Sequence, residues 1–283
     1  MERSDYVIIA AAFVVLTVLV RSAFFSGNSR YSTAELYEFG DAQAVIERVV
    51  GAPPVQRLPL LVALGMYETA IREAPRVDAD PEGASTVEWL SWLNRVNLSE
   101  AYVELGDFSR AHELLDPRPP TSAGLLVEAG NGTTLAWLLT CEGRHGEALN
   151  MLDGVAAADL GKDYCAEAFL TRTLILLNLG RLDDAKVAID ECRRLTVRAS
   201  TERNLLLHEA RWQVLTGRID DAIATFHLAR DHRWPCQGGS GCLALGDTFR
   251  DISRLELARE CWSLAVERDP ESHSAKLARE RLA

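Results

Sequence analysis

Nowhere in the 283 residues do lysines and arginines gather into a run, and the formal net charge is −11. A nucleic-acid binder neutralises phosphates with clustered basic side chains, so nucleic acid is excluded as the expected partner. Cysteine is sparse, with six in the whole chain. That is not the dense framework of a small secreted domain. Cys141, Cys165, Cys192 and Cys261 fall inside helical patterns, where a lone cysteine acts as a small buried hydrophobe. The usual catalytic signatures are also missing. Gly238-Gly-Ser-Gly241 is followed by no Lys-Ser/Thr and makes no phosphate loop. His208-Glu209 lacks the second histidine of a zinc protease, and there is no G-x-S-x-G nucleophile elbow. The stretch from Asp78 to Gly83 places Trp89 where a calcium loop needs its bidentate Glu. Asn97-Leu-Ser99 and Asn131-Gly-Thr133 are formal glycosylation sequons, the first of them mid-helix. No metal, cofactor or catalytic residue is expected.

Apolar residues make up 48% of the chain and charged residues 25%, enough for a substantial core and unlike a disordered tail. The longest apolar stretch is at the start. Tyr6 to Val20 reads YVIIAAAFVVLTVLV, and Ser22-Ala23-Phe24-Phe25 extends it past Arg21. A membrane helix needs roughly 20 apolar residues, and residues 6–25 meet that if Arg21 snorkels to the headgroups. Tyr6, Phe24 and Phe25 lie at the ends, where interfacial rings sit. A cleaved signal peptide would want a basic leader and a small-residue cleavage site, which Met1 to Asp5 and the following residues do not supply. The expectation is therefore a five-residue tail, a membrane anchor over 6–25, and a domain on one side of the bilayer. Counting Arg3 and the amino group against Arg21 and Arg30 favours a cytoplasmic domain. Those arginines are few and no lysine flanks the span, which leaves the reading tilted toward export.

Beyond the span one turn motif recurs. It reads Gly106-Asp-Phe-Ser-Arg-Ala111, Gly143-Arg-His-Gly-Glu-Ala148, Gly180-Arg-Leu-Asp-Asp-Ala185, Gly217-Arg-Ile-Asp-Asp-Ala222 and Ser253-Arg-Leu-Glu-Leu-Ala258. The alanines are 37, 37, 37 and 36 residues apart, and an earlier copy, Gly65-Met-Tyr-Glu-Thr-Ala70, lies 41 residues upstream. Regular self-similarity is the mark of a repeat architecture. Glycine ends one helix in the left-handed conformation that a C-cap needs. Acidic residues follow in the first turn of the next helix, where the dipole favours them. The alanine lets the two helices approach, and Leu114, Leu115, Leu149, Leu152, Ile189, Phe226 and Trp262 form an apolar face. Such a hairpin cannot bury that face alone, so hairpins stack.

These residues resemble the tetratricopeptide repeat family. Gly246, Phe249, Ala258, Trp262, Ala265 and Pro270 stand in that family's register in the last unit. Ala210, Gly217, Ala222, Phe226 and Ala229 do so in the unit before, and Leu98, Ser99, Tyr102 and Ala111 in the unit around Gly106. The resemblance covers about residues 86–283 and, more weakly, 56–75. It departs from the family in its period, longer than the usual one, and in Arg172 and Glu209, which stand where the family has leucine. The resemblance implies an all-α fold, a right-handed solenoid of stacked helix-turn-helix repeats preceded by one transmembrane helix. Residues 26–84 would be a linker and a degenerate helical hairpin, with a helix from Ser32 to Val50 and prolines at 53, 54 and 59. The array would span 85–270, and 271–283 would be a polar capping helix.

The same resemblance implies a concave groove lined by the first helix of each pair. By register it would hold Asn97, Glu100, Glu104, Trp137, Asn178, Arg211, Asp247 and Arg250. The lysine and asparagine clamp of chaperone-binding members is not matched, since Val96 and Thr134 occupy its positions. In the loop from Trp234 to Cys242, Cys236 and Cys242 stand five residues apart, three of them glycine. Three readings are open for them: a disulfide if the domain is exported, a metal site with His227 and His232 in a spacing that fits no strong zinc pattern, or two plain thiols. The function expected from all this is a membrane-anchored scaffold or adaptor, not an enzyme, that holds a segment or helix of a protein partner in its groove. The alternatives are a self-associating structural subunit and a regulatory enzyme with its site in residues 30–84.

Overall fold

The structure is a computed structural model that describes residues 54–78, 88–116, 125–156, 162–196, 198–232, 234 and 238–283. Among the described residues all regular structure is helical. The helices are α1 (Pro54–Ala63), α2 (Tyr67–Asp78), α3 (Glu88–Leu105), α4 (Phe108–Leu115), α5 (Leu125–Cys141), α6 (His145–Ala156), α7 (Lys162–Asn178), α8 (Leu182–Leu195), α9 (Ala199–Leu215), α10 (Ile219–Arg230), α11 (Gly239–Asp251), α12 (Leu255–Arg268) and α13 (His273–Leu282). No described helix is long and apolar enough to cross a membrane. The apolar stretch at 6–25, the helix expected from Ser32 to Val50 and Cys236 lie outside the described residues.

Six hairpins arise from one turn. Gly65, Gly106, Gly143, Gly180 and Gly217 take φ between +69° and +81°, and Ser253 takes +62°. At each, the turn residue's N–H donates to the carbonyl three residues back, and the next N–H donates to the carbonyl five residues before it, as from Gly217 to Val214 and from Arg218 to Gln213. This pair of bonds closes the open carbonyls of the first helix. The following helix then begins, with Asp183 and Asp184, or Asp220 and Asp221, in its first turn. Ala70, Ala111, Ala148, Ala185, Ala222 and Ala258 are all fully buried, so each turn leads straight into a contact with no room for a larger side chain. Ser253 is the single non-glycine with positive φ among the described residues. A Cβ in that region costs about 1–2 kcal/mol, and Ser253 is exposed. Ser253→Gly should therefore raise the unfolding free energy by about 1 kcal/mol, read as a shift in the denaturant midpoint at unchanged slope.

The first helices of successive hairpins pack side by side, in the order α1, α3, α5, α7, α9, α11, α13, and each second helix packs against its own first helix. Arg172 and Glu209, the two charged residues at apolar register positions, are accommodated by ion pairs to the neighbouring second helices. Arg172 donates to Asp153 at 2.6 Å, and Arg193 pairs with Glu209. In the last unit Gly246 lies flat against Trp262, where a Cβ would come within 2.6 Å of the indole.

The two ends of the array meet, which the repeat pattern does not foretell. Helix α13 touches α3. A Cβ on Gly106 would stand 2.8 Å from the His273 ring, and Phe108 meets that ring edge-on at 6.0 Å. The Tyr67 hydroxyl donates to Asp269 Oδ2 at 3.4 Å, and the Glu68 N–H donates to Glu271 Oε2 at 3.0 Å. The segment 271–283 is thus more than a polar cap: Ser272 caps α13, and Ala275 and Ala278 are buried. Much of the described part of helix α1 is covered. Leu58, Leu60, Leu61 and Val62 are buried, none above 3% exposure, while Arg57 and Pro59 are half-buried. They share a core with Ala101 of α3, Ala199 at the start of α9, and Trp234.

Candidate functional site

The first helices surround a cavity of about 180 Å³. Its wall is built from repeat positions that drift along the array. Glu104 and Glu100 of α3 stand 7 and 11 residues before Ala111, and Trp137 and Thr134 of α5 stand 11 and 14 before Ala148. Thr171 and Glu167 of α7 stand 14 and 18 before Ala185, and His208 and Asn204 of α9 the same distances before Ala222. Ser240 of α11 stands 18 before Ala258. The turn that faces inward therefore moves toward the N-terminal ends of the first helices from α3 to α11, with α7 and α9 alike. Leu170, Leu174, Thr133, Ser200, Thr201, Gly238 and Gly241 complete the lining.

Of the eight groove residues expected from the sequence, the cavity gathers Glu100, Glu104 and Trp137. Asn97 turns back along its own helix and donates to the Leu93 carbonyl at 2.8 Å. The other four join a separate polar network. Arg211 donates to Asn178 Oδ1 at 2.7 Å and to Thr248 Oγ1 at 3.2 Å. Asp247 accepts from Arg250 and from Arg281, each at 3.2 Å. Fixed register placed Asn178, Arg211 and Asp247 in the groove, but they lie further along their helices than the turns that line this cavity. The residues that replace them, Glu167, Thr171, Asn204 and His208, were missed. They repeat at the same 37-residue interval, Glu167 with Asn204 and Thr171 with His208, one turn earlier in the helix.

Electrostatically the cavity is a set of carboxylates with little to balance them. Burial pushes the Glu100 carboxyl up to about 7, Glu167 pushes in the same sense, and Arg198 opposes. Glu104 is raised well above the usual range by burial, then by Asp269 and Glu100. Arg198 is paired with Glu167 at 2.5 Å. Among the described residues no hydrogen bond or ion pair holds the carboxylate of Glu100 or Glu104. His208 is held neutral, its pKa lowered to about 3 by burial and then by Arg211. Beside the cavity, Asp269, the C-cap of α12, lies against the first residue of α11 and is raised to about 6 by burial, opposed by hydrogen bonds from Tyr67 and the Gly239 N–H and by the charge of Arg203. No group of His, Cys, Asp or Glu among the described residues is placed to hold a metal ion.

Cys242 is not the loop thiol that its glycine-rich surroundings suggest. It lies in the first turn of α11, buried in the core shared by α9 to α13, with no disulfide to any described cysteine. Arg203 Nη2 donates to its sulfur at 4.0 Å, and burial pushes the thiol up to about 11. Packing therefore accounts for Cys242, while any bond to Cys236 lies outside the described residues. Compared with protein-family models, curated proteins and solved structures, the chain matches none.

Proposed function

We propose that this chain is a tetratricopeptide-type scaffold, tethered to a bilayer by the apolar stretch at 6–25, that receives a segment of a protein partner in the cavity among its first helices. The observation that carries this reading is a cavity walled by five successive hairpins, with polar and ionisable groups turned into it, in an array otherwise closed on itself. The closure of the ends and the enclosed α1 narrow the groove. A side chain or a short stretch of polypeptide fits such a space, and a long amphipathic helix does not. The tether supplies high local concentration at the membrane without any further contact.

The test is site-specific photocrosslinking in native membranes, with the reactive group at Thr171 inside the cavity or at Val187, which is 64% exposed on α8. One polypeptide captured from position 171 and not from 187 supports the scaffold. Identical captures from both positions, or crosslinks only within the chain, sink it. Alkaline washing of the same membranes tests the tether, since a tethered protein stays in the pellet.

A second reading, self-association, has its own support. Leu179, Leu215, Ile252 and Leu255 lie at or beside the turns of three neighbouring hairpins and are 40–54% exposed. They form an apolar edge that a second copy could cover. Light scattering that shows a dimer in the wild type and a monomer in Leu215→Ser with Leu255→Ser would favour this reading.

A further inference from the structure

The cavity holds acceptors in excess of donors. Glu100 and Glu104 face it without partners, as described above. Asn204 Oδ1 and His208 Nδ1, both on residues of the same wall, are buried with no hydrogen-bond partner, and His208 is only 5% exposed. An unpartnered buried acceptor costs about 1–3 kcal/mol, and buried charges are ordinarily paired. Two half-buried carboxylates without a partner, on one wall with two buried polar atoms that have none, leave the cavity short of a donor that carries positive charge. A bare metal ion does not fit, because the acidic and imidazole groups are not clustered closely enough to chelate one. The space of about 180 Å³ exceeds the roughly 150 Å³ of a cavity that admits benzene. Trp137 adds an aromatic ring to the wall, and rings of this kind attract organic cations over their faces.

We infer that this cavity is a binding site for an organic cation, an alkylammonium or alkylguanidinium, held by Glu100 and Glu104 beside the ring of Trp137. Thr134 and Thr171 offer further acceptors, and Leu170 and Leu174 pack on the alkyl part. The cation arrives either as a small free amine or as the lysine or arginine side chain of a polypeptide. The site stands in both cases and does not depend on the scaffold reading.

The experiment is calorimetric titration of the full-length chain in a neutral detergent with n-butylguanidine, and in parallel with n-butylurea, its uncharged counterpart of the same shape. Saturable one-to-one binding of the guanidine, at least tenfold tighter than the urea, is expected. Glu104→Gln should weaken it at least tenfold, and Thr171→Leu, which fills the cavity without removing a charge, should abolish it. Asp183→Asn, on the exposed start of α8, should change it less than twofold. Equal binding of guanidine and urea, no saturable binding, or the same loss from Asp183→Asn as from Glu104→Gln would each overturn the site and leave a water-filled cavity. Retention of binding in Thr171→Leu would overturn it as well, even if Glu104→Gln fails to fold. A third titrant, acetyl-Gly-Arg-Gly-amide, separates the sources. Tighter binding than butylguanidine identifies a polypeptide side chain, and weaker binding identifies a free amine.

Discussion

Ala185→Trp should destabilise the array by about 3 kcal/mol or more, at the upper end of what overpacking a core costs, while Asp183→Ala, two residues away, should change stability by less than about 0.5 kcal/mol. Ala185 has no accessible surface, and its N–H donates to the Arg181 carbonyl at the turn of the hairpin. It belongs to the core that joins α5 to α8, with Ala148, Ile175 and Leu176. An indole there must push apart two helices already in backbone-close contact, and each flanking unit shares the wall that moves. Asp183 is exposed in the first turn of α8 and contributes only to the helix dipole. For a chain of this size, 3 kcal/mol corresponds to a fall in Tm of about 6–12 °C. Thermal melts of the two variants decide the matter, and matching curves would mean that the alanine column is not the helix contact.

Glu100→Gln should leave stability unchanged near pH 4.5 and raise it by about 1–2 kcal/mol at pH 8. The folded protein holds the Glu100 carboxyl near 7 through burial and through Glu167, against Arg198. A carboxyl whose pKa is raised on folding contributes fully below its unfolded value and loses that contribution as pH rises through the folded one. Glutamine keeps the neutral form at every pH, so the difference between variant and wild type opens between about 4.5 and about 7. The magnitude is set below the full linkage value because the side chain borders an open cavity. The wild-type curve alone does not isolate the effect, because His208, neutral down to about 3, acts in the opposite sense below pH 6.5. Urea midpoints at pH 4.5, 6 and 8 for both proteins give the comparison, and a constant offset across that range would show that Glu100 titrates normally.

The all-helical hairpin architecture was legible in the sequence because its determinants are local. A left-handed residue, an acid and an alanine at fixed spacing specify a turn from within six residues, and even the weak upstream copy at Gly65 and Ala70 folds as the others do. Glu100, Glu104 and Trp137, named from register, line the cavity, whereas Asn97 on the same early helix bonds back to its own backbone. Later units depart because earlier turns of their first helices line the cavity, which a fixed repeat position cannot express. Asn178 and Asp247 fall outside those turns, and Glu167 and His208 fall within them. The contacts of Tyr67 with Asp269 and of Gly106 with His273 were illegible for a different reason. They depend on how much the whole stack curves, which no single repeat records. Cys242 was misplaced because glycines around it read as loop, whereas Gly239 and Gly241 are helical and pack against Asp269 and Leu207.

The bond between Tyr67 and Asp269 spans 202 positions, and this has a consequence for how the chain matures. In a stack whose units lean only on their neighbours, a partial chain is already as well folded as its units allow. Here α1 leaves the ribosome well before Ala199, Trp234 and Asp269, which pack against it and its turn. Until then Leu58 to Val62 have nothing to cover them on one side. The seam thus closes only after the residues around Asp269 are made, and a shorter chain leaves part of the apolar surface of α1 uncovered. A chain stopped after Arg230 should bind a hydrophobic dye strongly while the full chain does not, and equal dye binding by the two would show that α1 finds its cover without the last hairpin and α13.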